Sequence, residues 1–389
     1  GESAPATVRL TVRERPHPGM DPDVAGLANA QAQATYRLSQ GQSDNVARRL
    51  EALRAGRVGN QMGVMLSQLD PGGEAVPGGR EFDRDPRQAF ATPKANASTS
   101  KAAVPGAGLE APKSVSVWAG GVVELGERDG KSTRGKLDYE TSGVSAGVDV
   151  KLSDRAVVGA GVGYGRDVTE VGSEGSKSEG TSTSAFVYGS YAASDKAYID
   201  GVLGVGQLQF DLDRNVSETG AMVSGSRDGH QVFGSISTGY QFGDRRWGLT
   251  PYGRLEFLMG ELGAYTEAGD DTWALRYRAH SVNSMTAVLG MRAEYRYSLG
   301  AGELVPTGRL ELRQALRSSG VPMASYDDWA ESPLYPIELN GFEDRRALLG
   351  AGLGWYGLNG WTFSIDAEAL VGDKDGDAVR VRVGGNGKF

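Results

Sequence analysis

Apolar and polar residues alternate along the chain from Ser114 to Phe389, with the period of two that is typical of β-strands. Near the C-terminus, the three valines of the run 379–383 alternate with Arg380 and Arg382, which places them on opposite faces of one strand. We predict twelve antiparallel strands, which begin near Val115, Val144, Val157, Thr183, Ala197, Gln231, Leu249, Met285, Leu304, Ala347, Trp361 and Ala378.

One face of these strands is apolar, with aromatic residues near the strand ends, and the other face carries charges of both signs or only glycine. The strands run to about ten residues or more, as a tilted membrane crossing requires, whereas strands of soluble proteins usually have about 5–6 residues. The pattern predicts an all-β membrane protein, a transmembrane β-barrel with lipid outside and a narrow polar lumen inside. The charged residues that we place on the lumen wall are Arg292, Glu294, Arg296, Arg309, Glu311, Arg313, Asp366 and Glu368.

The connections between the predicted strands differ in length on the two sides of the barrel. Every second connection is short, and these read SDR, ASDK, GDRRWG, SLGAG and GLNG. The others are mostly long and polar, and they include 167–181, 211–230, 260–282 and 316–345. Short turns on the periplasmic side and long loops on the outer side are typical of outer-membrane barrels.

Residues 21–56 are predicted to form an α-helix, with Asp21 as N-cap, Pro22 at the first helical position and Gly56 after the last turn. Leu27, Leu38, Leu50 and Leu53 form a thin apolar stripe in a surface rich in Gln, Asn and Arg. Such a helix is too polar for lipid and too thinly apolar for an ordinary core, so we place it in the barrel lumen. There we expect the glycine rows at 159–163 and 350–354 to accept the leucine stripe. Two alternatives remain: a surface helix, or a helix outside the barrel with part of 95–113 threaded through the lumen.

The segments around this helix differ from it in composition. Residues 6–13 alternate like a single strand, so residues 1–20 are interpreted as the end of another domain and the chain as a C-terminal fragment. Residues 57–113 are rich in Gly, Pro, Ala and Ser and are interpreted as a linker. The predicted order is therefore the domain remnant 1–20, the helix 21–56, the linker 57–113 and the barrel 114–389.

Composition excludes several classes of function. The 389 residues contain no cysteine, which removes disulfides, thiolate metal sites and thiol catalysis. The formal net charge of −8 argues against nucleic acid as a partner. No apolar run approaches the ~18 residues of a membrane helix.

Short motifs with catalytic spacing occur, but their context does not fit the chemistry. Residues 143–147 match the nucleophile-elbow spacing inside a predicted strand, where the motif needs a strand-to-helix turn. Residues 352–357 match a dinucleotide fingerprint with no helix after it. His17, His230 and His280 show no paired metal-ligand spacing. We therefore predict no catalytic, cofactor-binding or metal-binding residues and no enzyme activity.

One acidic turn leaves an alternative open. Asp373, Asp375 and Asp377 place three carboxylates in a short hairpin, which could hold a calcium ion weakly. An ordinary Asp-Gly turn is the other interpretation.

Several segments together resemble the translocator domain of a classical autotransporter, a type V secretion protein. They are VWAGGVVELG at 117–126, YETSGVSAGVDVKLSDRAVVGAGVGYG at 139–165, SAFVYGSYAASDKAYIDGVLGVG at 184–206, SPLYPIELNGFEDRRALLGAGLGW at 332–355, and the terminal Phe389. The segment VRLTVRERPHPGMDPDV at 8–24 is similar to the end of an immunoglobulin-like passenger repeat. Two features depart from the family pattern: the long linker before the first strand, and Gly387 where a second aromatic residue is common.

The resemblance implies an outer-membrane protein of a Gram-negative bacterium that exports its own N-terminal passenger and exposes that part at the cell surface. It implies outer-membrane lipid, the barrel-assembly machinery and the chain's own passenger as partners, and Phe389 as the assembly signal. Some autotransporters cut themselves within the pore; Asn29 and Asn45 are the candidate positions, although the chain has no Asn-Asn pair. The alternative function is a porin-like or adhesin barrel with an open lumen and a periplasmic N-terminal domain.

Overall fold

The structure is a computed structural model of the chain, and it describes residues 15–58, 115–130, 135–339, 345–358, 360–372 and 376–388. The expectations for the strand at 6–13, for the linker, for Asp373 and Asp375 and for Phe389 lie outside these residues.

Twelve long antiparallel strands form one closed barrel. Their bounds are β1 Val115–Arg128, β2 Leu137–Lys151, β3 Ala156–Val171, β4 Ser176–Ala192, β5 Ala197–Asn215, β6 Met222–Tyr240, β7 Trp247–Leu262, β8 His280–Tyr295, β9 Gly302–Ser319, β10 Arg345–Gly357, β11 Thr362–Gly372 and β12 Asp377–Lys388. Each strand pairs with its neighbours in sequence, and β12 pairs with β1 from Ser116↔Lys388 to Gly126↔Ala378, which closes the sheet. The predicted twelve-stranded antiparallel barrel is confirmed.

Burial is inverted relative to a soluble protein. Large apolar side chains such as Leu203, Leu289 and Leu312 are exposed on the outer face, whereas Glu311 and Arg313, next to Leu312, are buried inside. Aromatic side chains stand in pairs at the ends of outward-facing rows, as Tyr240 with Phe242, Tyr295 with Tyr297, and Trp361 with Phe363. An apolar outer band with aromatic residues at its rim is the surface that a lipid bilayer covers.

Several strands are longer than the sequence pattern predicts. β4, β5 and β6 extend through much of 167–181 and 211–230, so the predicted long loops there are wrong and only 172–175 and 216–221 connect the strands. The strands continue their backbone ladder beyond the apolar band, where the outward side chains become polar. The lipid-facing alternation stops at that level, and the sequence therefore indicated a loop too early.

The long connections 263–279 and 320–339 build a small cap at one end of the barrel. The segments Tyr265–Thr266, Leu275–Tyr277, Met323–Tyr326 and Tyr335–Pro336 pair as a second, four-stranded sheet. We call this sheet the cap sheet and this end the long-loop end. The opposite, short-turn end carries the connections 152–155, 193–196, 241–246, 296–301 and 358–361.

The chain that precedes the helix is fastened to the cap sheet. The Arg15 guanidinium donates two hydrogen bonds to the Asp328 carboxylate, at 2.5 and 2.7 Å, and it lies 4.8 Å from the Tyr326 ring centroid. The hydrogen bond from Arg15 holds the pKa of Asp328 below its ordinary value. The Tyr326 hydroxyl donates to the carbonyl of Pro16 at 2.8 Å, and the His17 ring meets Tyr335 edge-on. These contacts fix the chain at the long-loop end just before the helix begins.

A single helix, α1 Pro22–Val58, runs through the barrel. The Asp21 carboxylate accepts hydrogen bonds from the N–H groups of Asp23 and Val24, which confirms it as the N-cap, and the helix continues past Gly56. At 1.5 Å per residue it is about 55 Å long, which exceeds the ~30 Å hydrocarbon thickness. The helix starts under the cap sheet and ends near the short turns, because Arg54 pairs with Asp200 close to the start of β5. The predicted helix in the lumen is confirmed.

The composition of α1 fits this place in the lumen. It buries Gln31, Gln42 and Asn45 together with its leucines. Among the residues that the structure describes, no helix has both the length and the apolar character of a membrane span.

We expect Leu289→Arg to lower the free energy of unfolding in lipid vesicles by roughly 2–4 kcal/mol, because a cation then faces the bilayer interior. Leu289 is 70% exposed on the outer face of β8. The matched control is Gln209→Arg, an outward position on β5 beyond the apolar band, which should leave stability nearly unchanged. Equal effects at the two positions, measured by tryptophan fluorescence during urea unfolding, would contradict the assignment of the outer face to lipid.

Candidate functional site in the barrel lumen

The helix lies closest to one side of the wall, formed by β2–β5. Glycines on β3 allow this approach: a Cβ at Gly165 would lie 2.8 Å from a methyl group of Leu38, and one at Gly163 would collide with the amide of Gln42. The Gln42 amide also donates to the Tyr164 carbonyl at 3.1 Å. A side chain at either glycine would have to displace one of these helix side chains, so glycine lets Leu38 and Gln42 pack against the strand backbone.

The leucines of the helix contact different surroundings along the lumen. Leu27 and Leu38 belong to an apolar cluster towards the long-loop end, whereas Leu50 packs with Trp118 and Phe186, and Leu53 borders that second cluster. The expectation that the leucine stripe would rest on two glycine rows is only partly right.

The two predicted glycine rows are covered mostly by side chains of the wall. Within the row 159–163, the rings of Tyr188 and Phe186 cover Gly159 and Gly161. In the row 350–354, Gly350 and Gly352 lie under wall side chains of neighbouring strands, which are Arg309, Glu368, Thr307 and Asp366. The glycines there make room for large inward-pointing side chains, which is a second use that the alternation alone does not reveal.

Arginines of the helix bind carboxylates on β2, β3 and β5. Arg37 forks onto Asp167 at 2.8 and 2.9 Å, and Arg49 forks onto Asp149 at 2.7 and 3.0 Å. Arg54 pairs with Asp200. Both forked pairs are buried, with Asp167 and Asp149 almost inaccessible to solvent. Paired N–H···O bonds of this kind are among the strongest polar contacts in proteins.

These three wall aspartates, together with Glu124 on β1, are residues that the sequence analysis missed. The sequence pattern does indicate that Asp149 and Asp167 face inward, because each lies next to an outward-facing valine in β2 or β3. Because glycines lie beside these aspartates in the sequence, the pattern indicated an uncharged wall there. The sequence pattern does not predict which helix residue each aspartate contacts.

Acidic residues of the helix bind the opposite, arginine-rich side of the wall. The Asp44 carboxylate lies 2.8 Å from Arg382, 3.1 Å from Arg380 and 3.8 Å from Arg254. About two turns further along, Glu51 lies 2.6 Å from Arg309 and 3.6 Å from Arg292. The helix thus offers cations to β2, β3, β5 and β11, and anions to β7–β9 and β12.

The wall residues predicted from sequence all face the lumen, and most of them also pair with one another. Arg313 binds Glu256 at 2.6 Å and Glu311 at 2.9 Å, and Arg309 lies 3.2 Å from Glu311. Towards the short-turn end, Glu294 binds both Arg292 and Arg296, at 2.6 and 2.9 Å. On β11, Glu368 contacts Arg382 at 2.9 Å, and Asp366 lies 3.6 Å from Arg48 of the helix.

The motifs with catalytic spacing are not assembled into a reactive site. Ser145 of the 143–147 motif lies within β2, where its hydroxyl donates to Gln42 and accepts from the Asn45 amide at 2.9 Å. The Asn29 amide donates to the carbonyls of Ala25 and Glu338. The part of the chain that the structure describes contains no group of three or more His, Asp or Glu side chains suited to a metal ion. The lumen geometry therefore serves to hold a chain segment by charge and packing.

The three histidines lie in unrelated places. His17 packs on the cap sheet, His230 is exposed beside Glu261 at 3.6 Å, and His280 is buried beside Arg227 at 3.4 Å.

We expect Asp44→Asn to lower the free energy of unfolding in detergent micelles by about 3–5 kcal/mol, because three buried guanidinium groups lose their shared carboxylate. The isosteric control is Asp328→Asn in the cap, where the pair is partly exposed and the loss should stay below about 1 kcal/mol. Adding Arg382→Met to Asp44→Asn should recover part of the loss. Similar losses for Asp44→Asn and Asp328→Asn would show that the buried network does not hold the helix.

Comparison with known proteins finds a family model, sequence relatives and solved structures that are similar to this chain. The family model described as the autotransporter beta-domain matches residues 117–368. Two relatives called YaiT and described as uncharacterized, from Escherichia coli K12 and Salmonella typhimurium LT2, are each 26% identical over 166 residues. The matched part is 41% of this chain and 16% of each relative's length.

Solved structures share the fold. The translocator domain of the autotransporter NalP from Neisseria meningitidis superposes with a TM-score of 0.58 at 17% identity, covering 71% of this chain and 89% of that one. The beta domain of the Bordetella autotransporter BrkA gives a TM-score of 0.56 at 18% identity, covering 71% of this chain and all of that one. With the family model matching well over half of its residues, this chain belongs to the autotransporter β-domain family.

Proposed function

We propose that this chain is the outer-membrane translocator and anchor domain of an autotransporter, which brings its own N-terminal passenger to the cell surface. The observation that carries the proposal is the single passage of α1 through the lumen. The helix begins under the cap sheet at the long-loop end and ends near the short turns, where β1 also begins. Among the residues that the structure describes before β1, the chain therefore crosses the barrel once.

The direction of that passage bears on which side of the outer membrane the N-terminal part lies. Outer-membrane barrels keep short turns in the periplasm and long loops outside. With this orientation, Arg15 lies on the cell-surface side, beside the cap sheet, which supports exposure of the N-terminal part. Residues 1–20 are then the end of the passenger, and the passenger itself is the chain's first partner.

The filled lumen explains how one domain can both export the passenger and then anchor it in the outer membrane. A passenger that passed through the pore draws α1 in behind it, and the ion pairs of Arg37, Asp44, Arg49 and Glu51 then hold the helix in place. The apolar outer band takes outer-membrane lipid as its partner. We propose the barrel-assembly machinery as the partner during insertion, with Phe389 as its signal, and no nucleic acid.

The alternative function, a porin-like or adhesin barrel, needs an open lumen and a periplasmic N-terminal domain. The filled lumen disfavours free diffusion, since α1 packs against β1–β8 and bonds to β9, β11 and β12 through side chains. Membership of a translocator family likewise favours a transport role over catalysis.

Cysteine labelling of intact cells tests the side on which the N-terminal part lies. The chain has no cysteine, so Met20→Cys, at a position 62% exposed beside the cap sheet, should react with a membrane-impermeant maleimide added outside. Asp154→Cys, in a short turn with its side chain 97% exposed, should react only after the outer membrane is permeabilised. Labelling with the opposite pattern would place the N-terminal part in the periplasm and overturn the proposal.

A disulfide between helix and wall tests the filled lumen in cells. Because Leu38 packs directly over Gly165, the double variant Leu38→Cys/Gly165→Cys should crosslink under mild oxidation and change its mobility on a gel. The matched control pairs Leu38→Cys with Gly201→Cys, where a Cβ meets no neighbouring atom. Failure of the first pair to crosslink, together with high single-channel conductance of the unmodified chain, would favour the open porin-like barrel.

A further inference from the structure

A cavity remains in the lumen on the side where α1 stands away from the wall. It is lined by the helix between Gln33 and Gln40 and by side chains of β1, β2 and β8–β11. The volume open to the centre of a water-sized sphere in this cavity is about 50 Å³. One buried water needs roughly 10–15 Å³ by this measure, so the cavity has room for several waters or for one tetrahedral oxyanion.

The lining of this cavity is strongly cationic. Arg37, Arg128, Arg313 and Arg346 contribute to it, and none of its lining residues is an aspartate or a glutamate. Arg37 binds Asp167 outside the lining through Nε and Nη2, and its other terminal nitrogen makes neither of these bonds. Arg313 binds Glu311 and Glu256 outside the lining through one hydrogen bond from each terminal nitrogen, and each of these nitrogens carries a second N–H. Guanidinium groups carry five N–H donors in a planar fork that suits the oxygens of phosphate and sulfate.

A second observation points to a ligand at this place. Gln40 is only 7% exposed, and it lines the cavity. Its side-chain Nε2 has no hydrogen-bond acceptor in the described part of the chain. A buried amide donor without an acceptor is costly, and folded proteins satisfy nearly all such groups. An acceptor inside the cavity would satisfy it.

We propose that this cavity is a binding site for a small oxyanion of the phosphate or sulfate class. The anion accepts hydrogen bonds from the Gln40 amide and from the guanidinium groups of Arg313 and Arg346. It bridges α1 and the wall on the side where packing is thin, because Gln40 belongs to the helix and the arginines belong to β9 and β10. Its role as a clamp on the pore helix rests on the proposed function; the binding itself does not.

Phosphate binding to the purified full chain in detergent tests the site. Isothermal titration with inorganic phosphate in a sodium chloride background should show one site per chain, for which sulfate competes. Gln40→Leu and Arg346→Gln should each weaken binding by about tenfold or more, the loss of one charge-assisted or amide contact. The matched control is Arg166→Gln, an exposed arginine on β3 remote from the lumen, which should bind as the unmodified chain does.

The outcomes separate the proposals. No phosphate or sulfate binding by the unmodified chain, or equal binding by Gln40→Leu and the unmodified chain, would show that the cavity holds water only. Gln40→Leu decides the matter if Arg346→Gln does not fold. Normal binding together with periplasmic labelling of Met20→Cys would retain the anion site and reject the export function.

Discussion

The compensation of buried charge between α1 and the inner wall is the interaction on which the rest of this structure depends. Asp44 faces three arginines of β7 and β12, while Arg37 and Arg49 fork onto aspartates of β3 and β2. Breaking one buried pair is costly, because the remaining partner stays charged in a poorly solvated place. The helix is therefore held at one rotation and one depth, and apolar packing alone would not select either of them.

This constraint explains why the helix is so unlike a core helix. Its surface has to satisfy a wall that carries many charged and polar side chains, so it buries Gln31, Gln42, Asn45 and Thr35 along with its few leucines. Large apolar side chains of the wall lie on the outer face instead, where lipid covers them. Glycines on β3 complete the arrangement by letting the helix rest on the strand backbone, as at Gly163 and Gly165.

The sequence predicts the barrel well because a period of two is local, and each strand reports its lipid face without help from its neighbours. The strand number, the inward side of Arg309 and Glu311, and the N-cap at Asp21 follow from such local rules. The ends of β4–β6 beyond the apolar band do not, since the outward side chains there are polar. On β5 the alternation is reversed, with Leu208, Phe210 and Leu212 facing inward, so the lipid-facing pattern ends. The partners of Asp149 and Asp167 also lie beyond local reach, because a hundred residues or more separate them from Arg49 and Arg37.

The division of charge on the wall bears on how a lumen can be open at one time and filled at another. Arg254, Glu256, Glu311 and Arg313 bind one another, so this group of two arginines and two glutamates is neutral without the helix. The aspartates of β2, β3 and β5 instead receive their cations from α1. A wall with its own internal pairs can remain hydrated while a chain passes, whereas aspartates that await the helix make its arrival favourable. Under the proposed export function, charge placement of this kind favours the filled state as the end point of transport.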